Sequence, residues 1–260
     1  MTLHPDWLVP AWDAPGVEAV MTTRHGGASA APFNGLNLRD GLGDDPQAVA
    51  ANLVLLQQAI GVKPVWLNQV HGQRVLRLTH RDGQHGKAAE PADASITTEF
   101  GVACAVQVAD CLPVLFCAPH GIAVGAAHAG WRGLAAGVLE ATVKALCDAA
   151  RCEPRQLQAW LGPCIGPRQF EVGADVAQAF GGLGIDASTA HPARFVPHRP
   201  QKWLADLPGL ARDRLAVAGV SRVSGGEWCT VESLSRFFSF RRDRVTGRMA
   251  ALIWRDRPGH

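Results

Sequence analysis

Tyrosine is absent from this chain of 260 residues, so nothing it does can rest on a phenolic hydroxyl. Charge is scarce as well. Charged residues make up 18% and the net charge is +2, which gives no electrostatic reason to expect nucleic acid or an acidic membrane surface as a partner. The densest basic stretch, residues 236–244, is too short for a nucleic-acid footprint and suits a pocket for an anion. No window approaches about eighteen uninterrupted apolar residues, which excludes a spanning helix. The first residues, MTLHPDWLVPAWDAPG, lack a basic stretch leading into an apolar core, so no ordinary secretory signal is expected. A disulfide framework is also missing: seven cysteines, an odd number at irregular spacing, predict reduced thiols in a cytoplasmic protein.

Repeats, low-complexity tracts and linkers are not found. With 47% hydrophobic residues the chain can bury a sizeable core, and the reading is a single metal-binding domain over 1–260 with 1–20 as an N-terminal extension. Asp45-Pro46, then Val49, Leu53, Leu56 and Ile60, closed by Gly61, predict a capped amphipathic helix. Residues 133–149 predict a second, with Leu134, Val138, Ala141 and Ala145 along one stripe. Asp206-Leu207-Pro208 opens a third that runs to about Gly219. Apolar runs at 65–70, 75–78, 102–108, 114–117, 122–127, 157–161 and 250–254 predict strands. Strands mixed with helices predict a layered α/β domain, and the hairpin-length spacing around 102–127 predicts a mixed sheet.

The breaks between these runs carry the chemistry. Cys111 stands in ADCLPV, His128 ends the run GIAVGAA and opens HAGWRG, and His71 lies upstream in NQVHG. Two imidazoles and a thiolate suit Zn²⁺, and three protein ligands leave the fourth tetrahedral position for water or substrate. His71, Cys111 and His128 are therefore the candidate metal ligands and catalytic residues. Cys111 alone would read as a small buried hydrophobe; two histidines in matching breaks favour the ligand. Asp110 either orients a ligand by hydrogen bond or caps the turn before Pro113. Arg132 binds phosphate or anchors a helix end. Gln69 and Asn37 are amides in loop contexts, where turn formation is the default. Cys164 and Cys229 have no partner at metal-ligand spacing and are assigned to the core. His25 is an outside candidate for lining a pocket.

NQVHG, ADCLPV, HAGWRG, GPCIGP followed by Phe170-Glu171-Val172-Gly173, and Trp228-Cys229-Thr230 with FFSFRRDRVTGR occur in this order. In them the chain resembles the DUF152 family from Thr23-Arg24-His25-Gly26-Gly27 to the carboxyl end. Members of that family carry the names laccase-domain protein, peptidoglycan editing factor and purine nucleoside phosphorylase. The resemblance implies a compact α/β/α fold with a zinc site of His71, Cys111 and His128 in a surface pocket. It also implies phosphorolysis of adenosine, inosine and methylthioadenosine, with hydrolytic deamination of adenosine beside it. Phe240 stands where the family pattern leads one to expect tyrosine, which puts any role of that hydroxyl in doubt here.

Two implied activities can be weighed against the residues. A laccase needs a histidine-rich copper cluster, and none of the ten histidines is separated from another by a single residue, so its His-x-His pattern is absent. Adventitious Cu²⁺ is still expected in a site with two histidines and a cysteine, because copper outcompetes zinc for such ligands. Deaminases of the cytidine type carry H-x-E and P-C-x-x-C, and neither occurs here. Phosphorolysis asks for cationic phosphate donors, for which arginine's planar fork is suited. Arg24, Arg132, Arg241 and Arg242 all lie in the matched motifs, and the sequence does not choose among them. The expected small-molecule partners are purine nucleosides and phosphate. The rival readings are a cysteine–histidine hydrolase acting on cell-wall precursors, a structural zinc in a binding protein, and a copper-loaded polyphenol oxidase.

Overall fold

The computed structural model describes residues 3–85, 87–181 and 194–256; His191 and His260 lie outside them. The chain runs through β1 (Val17–Met21), α1 (Pro46–Ile60), β2 (Lys63–Asn68), β3 (Val75–Leu78), α2 (His80–His85) and β4 (Lys87–Pro91). It continues with β5 (Ala94–Thr97), β6 (Val102–Val108), β7 (Leu112–Cys117), β8 (Val124–Ala129), α3 (Trp131–Ala136), α4 (Val138–Ala150) and β9 (Gln158–Leu161). The last part holds β10 (Glu171–Val172), α5 (Ala174–Ala179), β11 (Phe195–Arg199), β12 (Lys202–Ala205), α6 (Leu207–Val217), β13 (Arg222–Gly225), α7 (Phe240–Asp243) and β14 (Met249–Arg255).

Among the described residues the strands form two large mixed sheets, ordered β1-β14-β6-β2-β4 and β13-β9-β7-β8-β5-β3, and a small sheet β10-β12-β11. The α/β class and its mixed pairing are as the sequence implied, but the sheet layer is double. The inner faces of the two large sheets share one core, in which Val65, Cys104, Val106 and Met249 meet Leu115, Cys117, Val124 and Ala126. The outer face of one sheet buries Ala103, Ala105, Leu252 and Trp254 with Leu56 and Ile60 of α1. The outer face of the other buries Val114, Phe116 and Ala127 with Val143 and Leu146 of α4 and Leu210 and Leu215 of α6. β6 and β7 are buried at every position, which is why they read as unbroken apolar runs and not as alternating ones.

Local chemistry fixes the frame. Asp45 caps α1 by accepting from the Gln47 amide, Pro46 takes the first turn, and Gly61 closes the helix in the left-handed region at φ 74°. Its buried stripe includes a polar member. The Asn52 amide donates to Ser29, Gly35 and Asn37, and its oxygen accepts from the Ala28 amide, so α1 pins the loop that leads to Arg39. The predicted helix over 133–149 is two helices, α3 and α4. Gly137, at φ 99°, breaks them, although the apolar stripe continues across the break. β1 falls inside the stretch set apart as an N-terminal extension and pairs with β14, while Trp7 is buried beside it. The early residues therefore complete the sheet. No helix among the described residues is long and apolar enough to cross a membrane.

Candidate metal centre

His71, Cys111 and His128 converge from three elements. His71 follows β2, Cys111 immediately precedes β7, and His128 lies within β8, which begins two residues later than the predicted run. β7 and β8 are antiparallel neighbours with Pro113 opposite His128, so the hairpin register brings the cysteine and the histidine to one end of the sheet. The ligand atoms of the three side chains lie within 4.8 Å of one another. Cys111 Sγ is 3.8 Å from His71 Nε2, and the two imidazole rings meet edge to face at 4.8 Å. Burial is graded: His71 is exposed, Cys111 half-buried and His128 buried. Among the described residues this is the one such group of three or more histidine, cysteine or acidic side chains.

The residue that builds this centre is Asp93, which the sequence reading passed over. Its fully buried carboxylate accepts the backbone N–H groups of Val70, His71 and Gly72 at 3.1, 2.8 and 2.7 Å. It also holds His128 Nδ1 at 2.8 Å, and its own carbonyl accepts the His128 amide. Three successive amides on one carboxylate keep His71 at φ 61°, a left-handed conformation that costs a side-chain-bearing residue about 1–2 kcal/mol. The bond to Nδ1 leaves Nε2 of His128 free to face Cys111. Burial raises the Asp93 carboxyl, but the hydrogen bonds from His128, Gly72 and Val70 outweigh it, and the group sits below its ordinary value.

Glycines supply the remaining space. A Cβ on Gly130 would lie 2.9 Å from both Cys111 Sγ and His71 Cδ2, and one on Gly133 would lie 2.8 Å from the Gly72 carbonyl. The glycines of HAGWRG are therefore required by close approach.

Electrostatics favour a thiolate. Burial opposes ionisation of Cys111, yet His128 and then His71 bring its thiol down to about 6. Burial likewise opposes the His128 imidazolium, and Cys111 and Asp93 lift it to about 9. The contrast with Cys104 and Cys117, which burial pushes up to about 12, marks Cys111 as chemically distinct. All seven cysteines are free. Two imidazoles and a low-pKa thiol, with a carboxylate fixing one ring, form a donor set that fits Zn²⁺ or copper.

Two cavities meet at the trio. One, of about 320 Å³, is walled by Trp131, Phe170 and Phe240 with Arg132, Arg241 and Arg244. The other, of about 430 Å³, is lined by Arg39, Asp40, Gln69, Gln107 and Arg248. His71, Cys111 and Phe240 line both, and His128 lines the second. Phe240, at the position of the expected tyrosine, is 48% exposed, with the guanidinium groups of Arg244 and Arg248 6.0 and 5.8 Å from its ring.

The other predicted site residues divide. Arg132 faces the first cavity, stacked 4.3 Å over Trp131, with no hydrogen bond or ion pair among the described residues. Arg241 lines the same cavity but gives Nη1 to the Glu171 carbonyl. Gln69 lines the second cavity, its amide committed to a reciprocal pairing with the Gln107 backbone. Asp110 makes no hydrogen bond to the His71, Cys111 or His128 side chains among the described residues. Its carboxylate accepts Thr230 Oγ1 and the Arg241 amide, both at 2.6 Å, and so ties down the segment that carries Phe240. Arg242 is no phosphate clamp, because all its donors go to the carbonyls of Thr230, Val231 and Phe237 and to Asp243. Arg24 lies away from the trio in an open cavity of about 510 Å³ with His25, its guanidinium bonded to Asn34 and to the Leu234 carbonyl. Asn37 is buried, holding Arg39, Asp44 and the Arg248 amide as a turn residue. Arg39 and Arg248 were not singled out from the sequence; each stands outside the strongest apolar patterns, and only the fold brings the two together.

Comparison with known proteins places the chain among named relatives. The chain is 50% identical over 250 residues to purine nucleoside phosphorylase YfiH of Escherichia coli, covering 95% of this chain and 98% of that one. It is 46% identical over 265 residues to a purine nucleoside phosphorylase of Xylella fastidiosa, covering 98% and 99%. Among solved structures, the Neisseria meningitidis DUF152 protein NMB0706 superposes with a TM-score of 0.87 at 44% identity, covering 97% of this chain and all of that one. YlmD from Geobacillus stearothermophilus superposes with a TM-score of 0.88 at 32% identity, covering 99% and 98%. The family described as multi-copper polyphenol oxidoreductase laccase matches residues 18–256, so the chain belongs to this laccase-like DUF152 family.

Proposed function

We propose that this protein is a zinc-dependent purine nucleoside phosphorylase, converting adenosine, inosine or methylthioadenosine and phosphate to free base and the sugar 1-phosphate, with adenosine deamination as a side activity. The observation that carries the reading is the thiolate–imidazole trio at the junction of two arginine-bearing cavities. It gains support from relatives named for this activity over nearly their whole length. His71, Cys111 and His128 would hold the metal, which when bound supplies a Lewis acid that polarises a substrate oxygen. Asp93 keeps His71 and His128 in place. Phe240, Trp131 and Phe170 offer flat faces to a purine. Of the arginines named from sequence, Arg132 and Arg241 remain as substrate contacts. The reading is of a cytoplasmic, single-domain enzyme acting on purine nucleosides and phosphate, with its seven cysteines free.

One observation favours a second reading. A thiol brought down to about 6 beside an imidazolium is also the pair a cysteine hydrolase uses, with Asp93 orienting the base. Chromatography of adenosine and inosine incubated with metal-assayed protein, with and without phosphate and beside Cys111→Ala, separates the two. Phosphate-dependent adenine or hypoxanthine, lost in the variant, establishes phosphorolysis. Stoichiometric zinc with neither base nor deaminated product overturns it.

A further inference from the structure

Arg39 and Arg248 both line the second cavity, and neither is in ion-pair contact with a carboxylate among the described residues. Arg248 gives Nη1 to the carbonyls of Thr246 and Gly247, which leaves Nε and Nη2 uncommitted. The Arg39 guanidinium makes no hydrogen bond or ion pair among the described residues. Asp40, the carboxylate lining this cavity, is exposed and in ion-pair contact with neither arginine. Burial, and then Arg39 itself, pull Arg248 below its usual range, while Cys111 and Asp110 push back. Two guanidinium groups held near each other in a concavity, neither in ion-pair contact with a carboxylate among the described residues, are stabilised by an anion that both can grip. Arg248 also flanks the Phe240 ring, at 5.8 Å, where the two cavities meet, but the other cavity is the more aromatic, with Trp131 and Phe170 beside Phe240. Arg132, Arg241 and Arg244 each lie against an aromatic ring, at 4.3, 5.6 and 6.0 Å, and so extend flat surfaces suited to a planar base.

We infer that Arg39 and Arg248 form the subsite for inorganic phosphate, with the purine in the Trp131–Phe170–Phe240 cavity and the ribose between them beside the metal trio. This rests on the phosphorylase reading and adds to it the placement of each reactant. The reaction requires such a division. A phosphate oxygen forms a bond to C1′ as the C1′–N9 bond breaks, the electron pair leaves with the purine, and N9 takes up a proton. Attack from the face opposite the leaving base puts phosphate and purine on different sides of the sugar, and two cavities joined at His71, Cys111 and Phe240 provide those sides.

The test compares metal-assayed wild type with Arg39→Ala, Arg248→Lys and Arg132→Ala. Equilibrium binding of inorganic phosphate is measured by titration calorimetry, alongside the KM for phosphate and for inosine. Phosphate binding should weaken at least about tenfold in Arg39→Ala and Arg248→Lys, with a matching rise in the phosphate KM. Arg132→Ala should raise the inosine KM and leave phosphate binding unchanged. Arg39→Ala removes no side-chain hydrogen bond among the described residues, so lost phosphate binding in a variant with native circular dichroism reads the missing guanidinium. Phosphate affinity that ignores Arg39 and Arg248, in an enzyme that does carry out phosphorolysis, overturns the subsite and spares the activity. Phosphate binding that depends on both arginines in a protein without phosphorolysis supports the subsite and overturns the activity.

Discussion

Among the described residues, two histidine–aspartate pairs are short and of almost equal length. His128 and Asp93 are 2.8 Å apart, and His25 and Asp6 are 2.6 Å apart. The first is buried on both sides, whereas the second has side chains 40% and 48% exposed. Asp93 has four further claims on its oxygens or carbonyl, from the amides of Val70, His71, Gly72 and His128, so the bond belongs to a network that shapes two ligands. Asp6 is lowered chiefly by its hydrogen bond to His25 and stays in water, which screens the pair. Both pairs have good hydrogen-bond geometry. What sets the first pair apart is convergence on a third donor and its own exclusion from solvent.

The sharpest way to break that comparison is to remove the donors. Cys111→Ala and His128→Ala should each abolish nucleoside turnover while the far-ultraviolet circular dichroism stays native; His25→Ala should turn over at the wild-type rate. Turnover in a folded Cys111→Ala protein would refute the assignment. The next largest contrast lies in the carboxylates. Asp93→Ala strands buried amides and an imidazole, and should cost roughly 3–5 kcal/mol in urea unfolding and about 10–100-fold in zinc affinity. Asp6→Ala should leave both measurements within error. A smaller effect is expected from Gly130→Ala, whose methyl group would push into Cys111 and His71. Zinc per chain should fall without loss of cooperative unfolding, as read by metal analysis beside a melt. Last, metal-free protein should be alkylated by iodoacetamide at Cys111 with a midpoint near pH 6, since the depressed thiol is ionised above about 6. Cys104 and Cys117 should stay unmodified until the chain unfolds, and zinc should protect Cys111.

The candidate trio was legible because each member follows or interrupts an apolar run at a glycine- or proline-marked stretch, and the strands at 75–78 and 102–108 were legible from the runs themselves. Asp93 was not. It is a single aspartate before a short buried strand, and its partners lie 21 to 23 residues upstream and 35 downstream, so no local period betrays it. Periodicity also ran straight through Gly137, because a hydrophobic stripe carries no information about φ. Among the arginines, motif membership could not separate Arg242, which spends every donor on the chain itself, from Arg132, which spends none. That distinction depends on which carbonyls face inward, and only the folded backbone decides it.

The anchoring of His71 and His128 by Asp93 bears on how the protein acquires its ion. A zinc finger folds around its metal and cannot let go of it without unravelling. Here the donors are positioned by amide and carboxylate bonds internal to the chain, so folding and metallation are separate events. An ion held by the trio would be reached from solvent at an exposed imidazole, and its exchange would not require unfolding. On that footing supply and exchange rate, more than architecture, would decide which ion it carries, and zinc-loaded and copper-loaded preparations should share one fold.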